Sequence, residues 1–274
     1  MADALHPPPA QSQDGQRPKD VRQWRITEHL VHHGDSSPQE LAGEFNVSLM
    51  TIHRDLDALE RRGVVRKFHG GVTVQPSGVF ESQLSFRLLA NPLEKRAIAE
   101  AALRYVHPGM SIMLDDSTSA LQMVPGLKER GPLHVATNFV QAISRLAEIA
   151  DEGNLTIMGM GGLYDQPHDA LVGLQCVEQI SNIRADALFM STSAVSGCEG
   201  FHQEERIVAI KRAMMQASTT RYLLIDHLKL GRVALHRVAP LKDFDLVITD
   251  EGADPEVLRE WENAGITYEI APSI

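Results

Sequence analysis

The chain reads as an α/β protein in two parts: an N-terminal winged helix-turn-helix, then a mostly parallel α/β domain. Three observations predict this. Residues 20–75 hold three short stretches of helical periodicity closed by a hairpin with a glycine pair. From about Leu93, apolar runs of strand length alternate with segments of helical spacing, the pattern of parallel strands covered on both faces. The charge also divides. Residues 1–75 carry nine Lys/Arg against ten Asp/Glu and residues 76–274 carry 17 against 26, so a nearly neutral head precedes an acidic body.

The elements are justified in order. Residues 1–19 contain Pro7, Pro8 and Pro9 and almost no apolar periodicity, and read as a disordered tail in which Arg17 and Lys19 could serve as a minor DNA-touching arm. From Asp20 to about His33 the spacing is helical, with Trp24, Ile26, Leu30 and Val31 near one face and Gly34 as the stop. In Ser37-Pro38-Gln39-Glu40, Ser37 suits an N-cap, Pro38 the first helical position and Glu40 the third position of a capping box. That helix runs to about Phe45, with Leu41, Ala42 and Phe45 inward. Asn46-Val47 turns the chain, and Ser48 can cap a third helix reaching about Arg62. On it Ile52, Leu56 and Leu59 fall within about 60° of one another at 100° per residue. The opposite face then shows Met50, Arg54, Asp57, Ala58 and Arg61, with Thr51 and His53 on the flanks. Gly63 ends the helix, and Val64 to Val74 reads as two short strands turning at Gly70-Gly71.

Residues 76–92 change character and read as a linker. Residues 93–274 hold seven strand-length apolar runs: Ser111–Asp115, Leu133–Thr137, Leu155–Gly159, Asp186–Met190, Tyr222–Asp226, Leu246–Asp250 and Thr267–Ile270. Hydrophobic residues make up 43% of the chain and aromatics only 5%, so the core is expected to be aliphatic. The formal charge of −10 argues against a protein that coats nucleic acid or anionic membrane non-specifically. Two cysteines, Cys176 and Cys198, exclude a disulfide framework and a cysteine-based zinc module, and read as small apolar residues. There is no secretory pattern and no apolar run of membrane-spanning length, so a cytoplasmic location is expected, with no membrane partner, metal or cofactor.

A recognition helix needs a packed back and a front carrying donors for base edges and phosphates. Arg54 lies near the centre of the outward face. Arg61, Arg62, Arg66 and Lys67 follow with no intervening acid and lead into the wing. Ser48, Met50, Thr51, His53 and His69 complete the candidate DNA-contacting set, Ser48 suiting a cap better than a reader. Asp55 would repel phosphate and is expected to organise neighbouring arginines. The run Val47-Ser48-Leu49-Met50-Thr51-Ile52-His53-Arg54-Asp55-Leu56, followed by Gly63 and Arg66-Lys67-Phe68-His69-Gly70-Gly71, resembles the signature of the DeoR family of bacterial transcriptional regulators. His53 stands where that family usually has arginine.

In an open α/β sheet, ligands bind beyond the carboxyl ends of the strands. Those ends carry Asp115-Asp116-Ser117-Thr118-Ser119, Thr137-Asn138, Gly159-Met160-Gly161-Gly162, Ser191-Thr192-Ser193 and Asp226-His227-Leu228-Lys229. Hydroxyls, glycines and a lysine suit an anionic, polyhydroxylated ligand, although the same residue types also make ordinary turns and caps. The family resemblance extends through these segments and through Ala170-Leu171-Val172-Gly173, Ile210-Lys211-Arg212-Ala213-Met214 and Asp226 to Arg232, covering about residues 20–270. It implies a sensor domain resembling the ribose-phosphate isomerase and glucosamine-phosphate deaminase fold, with a phosphorylated sugar or related metabolite as effector. The implied effector residues are Asp115, Ser117, Thr118, Ser119, Thr137, Asn138, Gly161, Gly162 and Lys229. Lys211 and Arg212 read equally well as structural. Ser117 in place of glycine, Leu228 in place of serine and the added Asp116 depart from the family pattern.

An enzyme of the isomerase or deaminase type is the competing reading. Asp115, Asp116, His202, Glu204 and Glu205 could be drafted for it, but no spacing among them identifies a mechanism. The expectation is therefore a non-enzymatic, operator-binding regulator of a sugar or related carbon-metabolism operon, acting as a repressor. Its partners would be double-stranded DNA, a small-molecule effector and further copies of itself, as a homodimer or homotetramer.

Overall fold

Periodic apolar residues build the first unit. Its helices are α1 (Pro18–His33), α2 (Pro38–Glu44) and α3 (Leu49–Arg61), and its wing pairs β1 (Val65–Phe68) with β2 (Gly71–Val74). This is a computed structural model; it describes residues 18–61, 63–74, 84–151 and 153–274. Ile26, Leu30, Leu41, Ile52, Leu56, Leu59, Val64, Val65 and Val72 form one buried cluster, with Trp24, Ala42, Phe45 and Val47 packed on it. Removing that much aliphatic surface from water is what holds such short helices together. The capping box before α2 is complete. Ser37 Oγ accepts the Glu40 amide at 3.2 Å, and the Ser37 amide donates to Glu40 Oε2 at 2.7 Å. Ser36 and Val72 exchange backbone bonds of 3.1 and 2.9 Å, which ties the segment before α2 to the wing. Gly70 turns the hairpin at φ +87°, a conformation that side-chain-bearing residues avoid.

Two compact units divide the chain, the first ending at Ala90 and the second running Asn91–Ile274. Within the stretch expected to be a linker, Leu84–Leu89 forms a helix, α4, and Phe86 packs against the first unit's core. The tail before Pro18, with Arg17, and residues 75–83 lie outside the described residues, as does the side chain of Val31.

The second unit begins with α5 (Pro92–Leu103), β3 (Ser111–Leu114), α6 (Thr118–Leu121), α7 (Val124–Leu127), β4 (Leu133–Thr137), α8 (Val140–Ile149) and β5 (Leu155–Gly159). It continues with β6 (Leu163–Asp165), β7 (Ala170–Val172), α9 (Leu174–Ser181), β8 (Ala185–Met190), β9 (Ala194–Ser196), β10 (Glu199–His202) and α10 (Glu205–Gln216). It closes with β11 (Ser218–Leu224), β12 (His236–Pro240), β13 (Leu246–Asp250), α11 (Pro255–Asn263) and β14 (Tyr268–Ala271). The main sheet has seven strands in the order β14-β13-β11-β8-β3-β4-β5, and every neighbouring pair is parallel. All seven strands fall on the predicted apolar runs. β11 starts four residues earlier than expected, because Ser218 and Thr220 pair with Ala185 and Ala187 of β8. Two additions were not anticipated: the β6–β7 hairpin and an antiparallel sheet β12-β10-β9.

From β3 the chain moves outward to β4 and β5, then returns to the other side of β3 as β8 and continues outward through β11, β13 and β14. The direction of winding therefore reverses between β3 and β8. At such a reversal the connections leave in opposite directions and open a crevice beyond the strand ends. The core of this unit is aliphatic and rich in methionine, including Met113, Met160, Met190, Met214 and Met215. Trp261 is fully buried in it, its Nε1 donating to the Gly197 carbonyl at 3.2 Å, whereas Trp24 is half-buried on the first unit's core.

Candidate functional site

The first candidate surface is the outer face of α3 with the wing. Met50 is 62% exposed, and His53, Arg54, Arg61, Arg66 and His69 are also exposed. Arg54, Arg61 and Arg66 enter no ion pair among the described residues, so their donors are free for phosphate or base edges. Arg62 lies outside the described residues. Ser48 and Thr51 occupy each other: the hydroxyls lie 2.8 Å apart, and Ser48 Oγ accepts the Thr51 amide at 3.2 Å, capping α3.

Two charged residues are used internally. Asp55, expected to organise neighbouring arginines, is buried and accepts Arg22 Nε at 2.6 Å and Gln23 Nε2 at 2.9 Å, fastening α3 to α1. Its arginine therefore comes from α1, which sequence proximity to Arg54 did not suggest. Lys67 belongs to a run of cations with no intervening acid in sequence, yet it ion-pairs with Asp57 and, at 3.3 Å, with Glu60. One helical turn separates those acids, and the wing folds back over them. Burial alone would lower the lysine's pKa; the two carboxylates outweigh it and raise it, while the lysine holds Asp57 below the usual carboxylate range. The pair fixes the wing against α3 and leaves Lys67 little charge to offer phosphate.

The second candidate site is the crevice at the β3–β8 reversal. Asp115, at the end of β3, accepts the Ser117 amide on one oxygen at 3.0 Å. Its other oxygen accepts the Ser191 amide at 3.0 Å and Lys211 Nζ at 2.5 Å. Lys211, buried on α10, also lies 3.3 Å from Asp116. Burial would lower the Lys211 pKa, but the two carboxylates raise it above its ordinary value. The extra carboxylate of Asp116 is thus met by a buried cation. Ser117, in place of a family glycine, caps α6 by accepting the Ala120 amide at 3.1 Å.

Thr118, Ser119, Thr137 and Asn138 are all buried at this rim. Thr137 Oγ1 accepts the Phe139 amide at 3.1 Å, and Asn138 Nδ2 donates to the Leu171 carbonyl of β7 at 3.1 Å. Ser119 Oγ and Asn138 Oδ1 have no hydrogen-bond partner among the described residues. Lys229 Nζ lies 3.1 Å from Ser191 Oγ and 3.4 Å from Asp226 Oδ2. Asp226 also accepts Asn91 Nδ2 at 2.7 Å. Burial alone would raise its pKa, yet Lys229, Lys95 and Asn91 together hold it below the ordinary value.

Gly161 and Gly162 have a packing reason for being glycine. The Gly161 amide donates to Gln179 Oε1 at 2.8 Å. A Cβ on Gly162, whose φ is +150°, would lie 2.5 Å from the Val172 carbonyl oxygen. Their close approach is to β7 and α9. Sequence reading placed Ser191 and Asp226 at the strand ends but not in the effector-contacting set, and did not single out Lys95 or Asn91. Asn91 precedes Asp226 by 135 residues, so only the fold joins them.

Three of the carboxylates considered for catalysis are engaged by cations, Asp115 and Asp116 by Lys211 and Glu204 by Arg206 at 3.1 Å, while Glu205 is exposed. Burial and the Asp116 charge push the Cys176 thiol up to about 11, away from thiolate chemistry. Among the described residues, no group of three or more His, Cys, Asp or Glu side chains is placed to hold a metal ion, and no helix is long and apolar enough to cross a membrane.

Comparison with known proteins covers both units. Residues 22–77 match the DeoR-like helix-turn-helix domain, and residues 90–251 match the DeoR C terminal sensor domain. The uncharacterized HTH-type transcriptional regulator YgbI of Escherichia coli (strain K12) is 34% identical over 232 residues, covering 84% of this chain and 89% of that protein. The HTH-type transcriptional regulator GolR of Listeria innocua is 29% identical over 257 residues, covering 91% and 98%. The putative aga operon transcriptional repressor of Escherichia coli O157:H7 is 25% identical over 249 residues, covering 89% and 91%. Among solved structures, a D-ribose-5-phosphate isomerase in complex with phospho-erythronic acid covers 50% of this chain and 52% of that one, at 15% identity and a TM-score of 0.37. That likeness is too distant to assign a ligand or a reaction. With both of its units matched by family models and relatives aligned over nearly its whole length, the chain belongs to the DeoR family of transcriptional regulators.

Proposed function

We propose that this chain is a ligand-released repressor of a sugar or related carbon-metabolism operon, with a phosphorylated sugar or sugar-acid-like metabolite as its signal. The observation that carries the effector reading is the rim beyond the strand ends at the β3–β8 reversal, where Ser119 Oγ and Asn138 Oδ1 are buried without hydrogen-bond partners among the described residues and Lys229 follows β11 on the same edge of the sheet. A buried, unpaired polar atom costs roughly 1–3 kcal/mol, which a ligand hydroxyl or phosphate oxygen would offset. Asp115, Ser117 and Thr137 shape this rim through backbone bonds, while Thr118, Ser119, Asn138 and Lys229 are the direct contacts. Gly161 and Gly162 support its edge.

On DNA, Arg54 would read a base edge near the middle of α3, with Met50, Thr51 and His53 beside it. Arg61, Arg62, Arg66 and His69 would hold the backbone along the helix end and wing. Repression is favoured by the relative named as an operon repressor. Winged helices read two-fold operators in pairs, so a homodimer or homotetramer is the acting species. For release, the metabolite must bind the DNA-competent and DNA-free arrangements with different affinity.

The test joins two measurements. A panel of aldose and ketose phosphates is screened by melting temperature, since a ligand that binds only the folded chain raises it. Any compound that stabilises the chain is then added to a gel shift of the protein on its own promoter fragment. Stabilisation together with release of the fragment supports the proposal. A promoter complex indifferent to every stabilising compound refutes it.

A further inference from the structure

The sensor unit has a pocket away from the effector rim. Its walls come from the end of α10 with Arg212, from β11 with Arg221, from β12 with Arg237, and from Asp243 ahead of β13. It encloses about 280 Å³, just under the roughly 300–1,000 Å³ of ordinary ligand cavities. β11 begins at Ser218 and the parallel β13 at Leu246, so Arg221 and Asp243 lie toward the amino-terminal ends of these strands. The effector rim lies beyond their carboxyl ends. Four residues, about 13 Å of strand, separate Arg221 from Ile225, after which Asp226 and Lys229 follow. None of the residues implied for the effector lines this pocket.

Three arginines share so small a space, and only Arg237 is neutralised. Its Nη2 donates to Glu199 Oε1 at 3.0 Å, and its Nε pairs with the other oxygen of that carboxylate. Arg212 and Arg221 enter no ion pair among the described residues. Each is anchored by two main-chain carbonyls instead. Arg212 Nε donates to the Val238 carbonyl at 3.0 Å, and its Nη2 to the Arg237 carbonyl at 2.7 Å. Arg221 Nε donates to the Met215 carbonyl at 2.8 Å, and its Nη1 to the Asp243 carbonyl at 3.1 Å. A guanidinium has five N–H donors, so two bonds hold each fork in place and leave donors over, while neutral carbonyls do not cancel its charge. Asp243 is the one acid among the lining residues, and it is exposed. Nearby, Asp245 Oδ2 accepts the Arg221 amide at 2.8 Å. Residues 76–274 carry 26 acids against 17 bases, so two fixed arginines that meet no carboxylate in one pocket stand out from their surroundings.

We propose that this pocket is a second binding site, separate from the effector rim, for a small phosphate-bearing anion held by the Arg212 and Arg221 guanidiniums. Arginine forks match phosphate oxygens in pairs, and forks already anchored lose little freedom on binding. The volume suits a phosphate ester of a few carbons rather than a nucleotide. Lys211, which meets Asp115 at the rim, immediately precedes Arg212, so α10 borders both sites.

The test uses the full chain carrying Lys229→Ala, which removes the cation assigned to the effector rim. Inorganic phosphate and glycerol 3-phosphate are titrated into it by calorimetry, in chloride buffer at fixed ionic strength. Binding is expected, and adding Arg221→Gln is expected to weaken it about tenfold, the loss of one charge-assisted contact. The glutamine amide can still donate to the Met215 carbonyl. If neither anion binds the Lys229→Ala chain, or if Arg221→Gln leaves the binding unchanged, the proposal is overturned. The effector reading survives that result, because the parent chain's response to the aldose and ketose phosphate panel tests it separately. Should the Arg221→Gln chain melt well below its parent, the Nε–H resonances of Arg212 and Arg221 are read in the Lys229→Ala chain instead. Their movement on adding inorganic phosphate supports the site, and resonances that stay in place overturn it.

Discussion

At the residue scale, two cations of similar prominence in the sequence have opposite surroundings. Arg54 is exposed and enters no ion pair among the described residues, whereas Lys211 is buried between Asp115 and Asp116. Arg54→Ala is therefore expected to weaken operator binding by about 1–3 kcal/mol and leave folding alone, measured by titration at fixed salt. Equal affinity of parent and variant would remove Arg54 from the base-reading set. Lys211→Ala strands two buried carboxylates, and is expected to cost about 3–5 kcal/mol of stability in denaturant unfolding. The pH dependence has a definite sign. The Lys211 pKa is raised by folding, so its contribution is complete below the ordinary value of 10.5 and disappears only as pH rises through the raised one. The Asp226 pKa is lowered by folding, so its contribution is present above the ordinary 3.8 and disappears as pH falls through the lowered one. Neither group titrates near neutrality. The Lys211→Ala chain, with Asp115 and Asp116 left buried without their cation, should instead recover stability as pH falls and they take up protons, so its melting temperature approaches the parent's toward acid pH as well as above 10.5; a gap that does not narrow on acidification would contradict the assignment.

At the element scale, the wing is fastened to α3 by Lys67 with Asp57 and Glu60. Each phosphate contact on duplex DNA changes the salt slope of binding by about 0.9. Arg66→Ala should lower that slope by close to this amount, and Lys67→Ala by clearly less, because its charge is already balanced. A larger loss for Lys67 would show that the pair opens on DNA. Ser37→Ala removes the N-cap of α2 and is expected to destabilise the first unit by about 1 kcal/mol, read from its unfolding midpoint.

The elements legible in the sequence were those with a strong local signal. The capping box and the Ile52-Leu56-Leu59 stripe mark helices, and the two-face burial of the parallel strands leaves near-continuous apolar runs. The β6–β7 hairpin and the β12-β10-β9 sheet were not legible. Their strands are three to five residues long, and one of the pairings, β10 with β12, joins distant segments such as Glu199 and Pro240. The helix at Leu84–Leu89 was masked by flanking prolines and serines. The site shows the same division. The strand ends were readable as a set of polar loops, but Lys211 meets Asp115 across 96 residues and His227 meets Asp250 across 23, and no local pattern encodes either pairing.

At the scale of the whole molecule, the charge of −10 first looked like evidence against nucleic acid. Most of the excess acid falls after residue 75, so the acidic sensor repels DNA while a few arginines on one face of the reader attract it. Binding to random duplex should be weak at physiological salt, and operator binding should depend on paired readers. A chain that retards unrelated DNA as well as its promoter fragment would contradict this. The placement of the two tryptophans has a practical consequence as well. Trp24 belongs to the reader and Trp261 to the sensor, so each unit carries its own intrinsic fluorophore. Trp261, sealed from water, should emit at shorter wavelength than Trp24 and shift strongly to the red on unfolding. A Trp24→Phe chain would then light up the sensor alone and a Trp261→Phe chain the reader alone, and the order in which the two units melt becomes visible without attaching any dye.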